Sequence, residues 1–466
     1  MTDRRAGTRR RLNARRIHLR LPGRDAWSAR LGGIDLSSWR PALVPVILVL
    51  IVLVASLAAQ GHDHRKAPLQ GDEATALSRT LSCVRDVPGS SSRVGTVPQR
   101  SSGYSVEGPR ATFPPEAASD GYGTQWSSGK RGNTSWLAAR ACPALSGDWW
   151  FVGAGSSQQH HSVLTLDNPQ SVDATFALTI YGPNGRITVP GGNALLVPAG
   201  TTRRWHLNRI AATAGGDLTV RVKVTRGLLA ASMWDTWSLT PGYAPVHQWI
   251  PSSRGPAKRV QLLGMPGRFT PGSSLLITNH DVDVSAVVKV RAINGSATFT
   301  PTKHAVVNVP PASTIAVPVG GLRKTAIDSL VLTSTHRITA GLRQARDGAE
   351  AYAVPARRLG AKSVVGLPAG VAARLVLTAA RTTPVQVTAL NAKGATLMSK
   401  SVAVPAGKTL KITMPPKAVA LSVTSESDST VTAAVALTRK GIAVLRMVPT
   451  ANEAKVPVVV PQNYSR

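Results

Sequence analysis

Acidic residues are scarce in this chain: 23 Asp and Glu stand against 55 Lys and Arg in 466 residues, a formal net charge of +32. That balance argues against an acidic, soluble cytosolic enzyme. There are only two cysteines, Cys83 and Cys142, too few for a multi-bridge scaffold, and no CxxC pairs are present to hold zinc. No heptad or collagen-like repeat runs through the chain. Phosphate loops, dinucleotide fingerprints, HExxH motifs and credible carboxylate pairs are also missing, so no motif points to nucleotide, metal or glycoside chemistry, and no cofactor is expected. Gly153-Ala154-Gly155-Ser156 lacks the flanking glycine and the strand-then-helix setting of a nucleophile elbow, so Ser156 belongs to a turn. His160-His161 has no His-x-His spacing and no carboxylate beside it, and neighbours on a strand face opposite sides, so the pair takes a structural or surface role.

What the chain does have is 43% hydrophobic residues and a mean hydropathy near zero, compatible with cores in two to four domains. One run stands apart. Residues 41 to 59, PALVPVILVLIVLVASLAA, contain no charge, and at ~1.5 Å per residue they come close to the ~30 Å of a bilayer core. Residues 1 to 40 before it hold eleven arginines and three aspartates, a net of +8 that the positive-inside rule keeps in the cytoplasm. The length of this head and of the span favours an uncleaved signal-anchor over residues 41–60. Ser56-Leu57-Ala58 leaves a cleaved signal peptide as the alternative. Under either reading residues 61 to 466 lie outside the cytoplasm, with a net charge of about +24 counted from the sequence. Nucleic acid is then an unexpected partner, whereas envelope proteins, anionic wall polymers, acidic glycans and lipid head groups fit. Solvated surface charge with no partner is the plainer alternative. His62 and His64 around Asp63 are juxtamembrane polar spacing or a weak metal pair.

Residues 61 to 142 carry the loop-favouring run PGSSSRVGTVPQRSSG and form a stem or leading segment. Cys83 and Cys142 bracket most of it; in an exported compartment they form either a disulfide, contributing roughly 3–4 kcal/mol in the chain-entropy picture, or two buried thiols. Beyond Cys142 a β pattern recurs three times. Leu164-Thr165-Leu166-Asp167-Asn168, the turn Gly182-Pro183-Asn184-Gly185 and Val197-Pro198-Ala199-Gly200 are answered by Leu275-Leu276-Ile277-Thr278-Asn279, Asn294-Gly295 and Val309-Pro310-Pro311-Ala312. The third copy has Leu375-Val376-Leu377-Thr378, Asn391-Ala392-Lys393-Gly394 and Val404-Pro405-Ala406-Gly407. Successive Val-Pro landmarks lie 112 and 95 residues apart, so each repeat is domain-sized. Alternation such as Leu410, Ile412 and Met414 against Lys411 and Thr413 demands a sheet with one buried face. The expected fold is all-β: three tandem immunoglobulin-like or jelly-roll-type β-sandwich modules behind the N-terminal transmembrane helix, at 143–250, 251–360 and 361–466.

Eight of ten tryptophans fall between residues 126 and 249. Trp149, Trp150, Trp205, Trp234 and Trp237 are candidates for a glycan or partner surface, against the alternative that the rings fill core and interface. In Asp148-Trp149-Trp150-Phe151-Val152 alternation sends Trp149 and Phe151 one way and Trp150 the other. Arg203, Arg204, Arg254, Lys258 and Arg259 are candidates for an anionic polymer, with Arg357 and Arg358 as a further basic pair.

The basic head, the signal-anchor, Cys142-Pro143, the stretch from Asp148 to Gly155, Leu164-Thr165-Leu166-Asp167-Asn168-Pro169 and the turn after Tyr181 together resemble an actinobacterial family of uncharacterised, membrane-anchored secreted proteins. The resemblance covers most of the exported chain. It implies an exported, β-rich envelope protein without an assigned activity. The expectation is thus a non-enzymatic scaffold or adaptor of the bacterial cell envelope, single-pass with a cytoplasmic N-terminus. A glycan-binding or glycan-active protein centred on the Trp-rich first module is the alternative.

Overall fold

The computed structural model describes residues 73–455 apart from 76–77, 85–86, 88, 99–103, 133, 213, 239–244, 266–267, 321, 323–326, 347–348, 356, 427–429 and 450–452. The basic head, the apolar run at 41–60 and His62 to His64 lie outside the described residues. Among the described residues no helix is long and apolar enough to cross a membrane.

The described chain is nearly all-β and rich in sandwiches. In the first repeat, one sheet is built from Asp148–Ala154, Ala174–Gly182, Gly185–Ile187, Leu195–Val197 and Leu218–Arg226, the other from His160–Asp167, Thr202–His206, Ala230–Trp237 and Val246–Ile250. The period-2 pattern explains the pairing: Phe176, Leu178 and Ile180 point inward from one sheet and Leu164, Leu166 and Met233 from the other, into one apolar cluster. Residues 362–449 repeat this connectivity. Lys362–Gly366, Thr383–Leu390, Thr396–Val404, Ala420–Thr424 and Val448–Pro449 face Ala372–Thr378, Thr409–Thr413, Thr432–Thr438 and Ile442–Arg446 across a cluster that includes Val387, Leu421, Leu375 and Leu445.

The middle repeat departs in one respect. The two strands that are separate elsewhere, Leu218–Arg226 and Ala230–Trp237 in the first repeat, correspond to the single 18-residue strand Ser329–Arg346. Its first part pairs with Ala257–Leu263 and Ala286–Asn294, its second part with Ser274–Asn279 and Ala349–Ala353. Exposed positions at Thr333, Thr335 and Arg337 interrupt its otherwise largely buried run and mark where it passes from one layer to the other, so eight strands form one hydrogen-bonded sheet.

The repeated sequence landmarks have repeated hydrogen bonds. Asn168 Nδ2 donates to the carbonyls of Val172, Val197 and Pro198 at 2.8, 3.1 and 3.3 Å. Asn279 Nδ2 donates to those of Val284, Val309 and Pro310 at 2.7, 3.3 and 3.3 Å. One buried amide thus ties the end of a strand to the Val-Pro turn in both repeats. The turn itself needs a left-handed residue: Gly200 at φ +67° and Gly407 at +66° supply it, but the middle repeat has Ala312 at +49°.

The leading segment is folded, where composition pointed to an irregular stem. Arg79–Ser82, Ser105–Glu107 and Arg110–Phe113 form one sheet and Ser91–Thr96, Gly121–Arg131 and Thr134–Ala141 another. Its small core gathers Leu81, Ala111 and Phe113 around the bonded Cys83 and Cys142. Six buried residues, two of them a crosslink, hold together a segment with little apolar content, which is why a composition count missed it. Glu73–Thr75 pairs antiparallel with Glu453–Lys455, joining the two ends of the described chain.

A left-handed alanine costs ~1–2 kcal/mol, offset in part by the greater freedom of glycine in the unfolded chain. Ala312→Gly should therefore stabilise the protein by ~0.5–1 kcal/mol, read as a higher denaturant midpoint at unchanged slope; a lower midpoint would remove the strain assignment.

Candidate functional site

The densest group of buried titratable side chains joins the first two repeats. Asp235, on Ala230–Trp237, is 1% exposed and faces His160 and Ser162 at the start of the neighbouring strand His160–Asp167. His160 Nε2 lies 3.1 Å from both carboxylate oxygens, Ser162 Oγ donates to Oδ1, and Tyr352 Oη, from Ala349–Ala353, donates to Oδ2 at 2.8 Å. On the other edge of the imidazole, Nδ1 is 3.8 Å from Asp217, which is bound by the Arg343 guanidinium. Trp237 stacks on His160 at 4.8 Å between centroids, and the Arg343 guanidinium carbon sits 3.5 Å from the Trp237 ring centre. Glu350 completes the group, its Oε1 3.9 Å from Arg343 Nε and without a hydrogen-bond partner.

Burial works against the charged form of His160, but the Asp235 carboxylate outweighs it and holds the imidazole above its usual pKa. Burial likewise opposes ionisation of Asp235, yet His160 and the hydroxyls of Ser162 and Tyr352 hold it below the usual carboxylate range. Burial pushes Glu350 up to about 8, with Arg343 opposing only in part. At neutral pH Glu350 keeps its proton beside two ion pairs, His160 with Asp235 and Arg343 with Asp217. The serine donates to the aspartate and not to the imidazole, so the histidine does not activate it, and the group acts as a sealed junction. This corrects the expectation that His160 has no carboxylate near it: Asp235 lies 75 residues away in sequence and Asp217 is beyond reach of any local motif. Among the described residues no group of three or more His, Cys, Asp and Glu is placed to hold a metal.

The tryptophans are turned inward. Trp149 and Phe151 enter the core of the first repeat, and Trp149 Nε1 donates to Leu229 O at 3.0 Å. Trp150, on the opposite face, is buried against Tyr181 with Arg221 over its ring at 4.9 Å. Trp205 packs edge-on against Phe176, Trp234 packs edge-on against Trp249 and stacks on His247, and Trp237 lies under Arg343. Trp149 and Trp150 are buried, whereas Trp205, Trp234 and Trp237 are half-buried.

The basic candidates separate into two groups. Arg203 and Arg204 are exposed on the edge strand Thr202–His206, and Lys258 is exposed on Ala257–Leu263. Arg254 and Arg259, also exposed, line the mouths of cavities. The larger, about 850 Å³, is lined by the leading segment and all three repeats, and it also gathers Arg79, Arg140 and Arg446, which no sequence cluster brought together.

A family model described as a family of unknown function (DUF5719) matches residues 106–415. No protein of curated function matches. A solved chain described under "The Triple Jelly Roll Fold and Turret Assembly in an Archaeal Virus" aligns over 70% of this chain and 90% of its own, at 11% identity and a TM-score of 0.14, a level that carries no argument.

Two outcomes follow from the junction. Gly153 has φ +100°, and a Cβ there would stand 2.5 Å from Leu276 and 3.0 Å from Tyr352, so Gly153→Ala should cost ~2–4 kcal/mol in a denaturant melt; an unchanged melt would mean the repeats do not close on each other here. Glu350 binds its proton more tightly folded than unfolded, so its contribution is full below its usual 4.5 and is lost as pH rises through about 8. His160, also raised, loses its contribution as pH climbs beyond its usual 6.5, whereas Asp235, lowered, loses its own only below its usual 3.8. The melting temperature should therefore fall between ~pH 5 and ~pH 9, and Glu350→Gln, neutral at every pH, should flatten that fall; identical profiles for both proteins would sink the assignment.

Proposed function

We propose that this chain, which belongs to the DUF5719 family of unknown function, is a non-enzymatic scaffold or adaptor of the bacterial cell envelope. In this reading residues 1–40 are a cytoplasmic tail, residues 41–60 a single membrane span, and three immunoglobulin-like or jelly-roll-type modules at 143–250, 251–360 and 361–466 are held outside as one body. Their basic surface faces envelope polymers or the proteins of an assembly complex. An actinobacterial origin belongs to the same proposal.

The observation that carries it is Gln248. Its side chain, in a residue 2% exposed, accepts from the backbone N–H of Ala139 at 3.3 Å and of Trp249 at 3.0 Å. Its amide donates to the carbonyls of Leu137, Glu350 and Ile442 at 3.0, 2.8 and 3.2 Å, two hydrogens shared among three acceptors. Leading segment and all three repeats therefore meet at one side chain. A chain of flexibly tethered beads has no need of such a joint; a rigid presenter of surfaces does. Half-buried ion pairs across other seams, Arg110 with Asp167 and Lys362 with Asp120, support the same reading.

The purified full chain should unfold in a single calorimetric transition, and Gln248→Leu, which strands several buried backbone groups at ~1–3 kcal/mol each, should lower and split it. Separate transitions in the unsubstituted protein would overturn the one-body scaffold. In cells that make it, the chain should stay with membranes through a carbonate wash and co-purify with envelope components; extraction as a free soluble protein would overturn the anchor.

A further inference from the structure

The cavity of about 850 Å³ has six arginines in its walls: Arg79, Arg140, Arg254, Arg357, Arg358 and Arg446. No Asp or Glu is among the described residues that line it. The Arg79 and Arg446 guanidiniums donate to backbone carbonyls. Arg79 Nη1 donates to Gly121 O at 3.0 Å, while its buried Nε has no partner. Arg140 donates twice to Gln125 Oε1, at 2.7 and 3.0 Å, and Arg446 donates to Ser252 O. Burial, and then repulsion from Arg357, lowers the pKa of Arg446 to about 9, and burial lowers that of Arg79 to about 10. Arg357 is lowered by burial and then by Arg254, with Asp148 opposing. Cations placed to repel one another around an acid-free space leave charge that an anion would meet.

A second cavity, about 590 Å³, shares Arg254 and Arg358 with the first and adds Arg259 and Arg291, again with no acid in its described lining. The hydroxyl-bearing Thr378, Thr430 and Thr432 contribute to its wall. Arginine pairs with phosphate through two parallel N–H bonds, and guanidiniums arriving from separate segments suit a tetrahedral group with oxygens in several directions better than a planar carboxylate. Two adjoining cavities with shared arginines at the boundary suit a ligand whose charges repeat along a chain.

We propose that the two cavities form one binding site for a phosphate chain, with successive phosphate groups seated on either side of Arg254 and Arg358. The inference names a ligand chemistry that the scaffold reading leaves open. It rests on that reading only for the compartment in which the ligand is met.

The test is calorimetric titration of the purified full chain at ~0.15 M salt with orthophosphate, a short linear polyphosphate, a glycerol-phosphate oligomer and polyglutamate of matched charge. One or both phosphate chains should bind, which tells an anhydride-linked from a diester-linked source, and polyglutamate and orthophosphate should bind at least ~10-fold more weakly. Arg254→Ala with Arg358→Ala, both exposed positions, should weaken binding at least ~10-fold, while the charge-matched pair Arg203→Ala with Arg204→Ala should change it less than ~2-fold. Equal losses in the two pairs would assign binding to diffuse surface charge and overturn the site, as would equal affinity for polyglutamate, for orthophosphate, or no binding at all. If the alanine pair melts early, Arg254→Gln with Arg358→Gln keeps most of each stem and reads the same loss. A single unsplit melt with no phosphate binding would overturn this site and leave the scaffold standing; a split melt with binding retained would do the reverse.

Discussion

Four parts of the chain are aligned by the hydrogen bonds of one buried side chain. Gln248 satisfies backbone groups of the leading segment, the first repeat, the second and the third, and each of those groups sits where water cannot replace it. The arrangement is unforgiving in a way that apolar packing is not. Two greasy faces can slide by an ångström at little cost, whereas an amide shared among three carbonyls loses its bonds when any one of them moves. The apolar contacts around it follow the same alignment: Val376, Ala434 and Val444 of the third repeat pack into the cluster of the second, and Tyr352 of the second into that of the first.

Close approach at these seams is achieved by leaving side chains out. Besides Gly153, a Cβ on Gly341 would meet Val152 at 3.2 Å and one on Gly264 would meet Ala434 at 2.7 Å. Between such contacts the few acidic residues are set against cations of another segment: Asp120 with Lys362, Asp167 with Arg110, Asp217 with Arg343 and Asp328 with Lys411. The lopsided charge of the sequence thus has a structural side. Several acids serve as partners inside junctions, although Glu107, Glu116, Asp173, Asp283 and Glu426 remain exposed, and arginines without a lining acid remain at the cavities.

How far this was legible in the sequence depended on the range of the signal. Period-2 alternation is local, so the strands, the inward Phe176, Leu178 and Ile180 and the opposed faces of Trp149 and Trp150 could be read directly. The Val-Pro landmarks marked the repeats because Asn168 and Asn279 close on them within about thirty residues. The partners of His160 and the walls of the arginine cavity could not be read, because Asp235 is 75 residues from His160 and the cavity draws on Arg79 and Arg446 from opposite ends of the fold. Arg254 and Arg259 were visible as a basic cluster, yet nothing local distinguished them from Arg203 and Arg204, which lie exposed on an edge strand away from both cavities. The leading segment was misjudged for a related reason: its core is small, and a crosslink supplies part of what apolar area would otherwise provide.

The placement of acids also bears on the cavity. At four other seams between segments a basic side chain is met by a carboxylate, so this fold has a general solution to a cation at an interface. At the seam where Arg79, Arg254, Arg357 and Arg446 gather, no carboxylate is in the described lining, and the groups that hydrogen-bond to the Arg79 and Arg446 guanidiniums are carbonyls. Holding several like charges together with only Asp148 acting on Arg357 from outside that lining costs stability whenever the space is empty. Replacing one of them by an apolar residue, or supplying one carboxylate as at Asp167 or Asp217, would remove that cost. A structural role therefore does not account for the arrangement, whereas a ligand that brings its own negative charge into the space does.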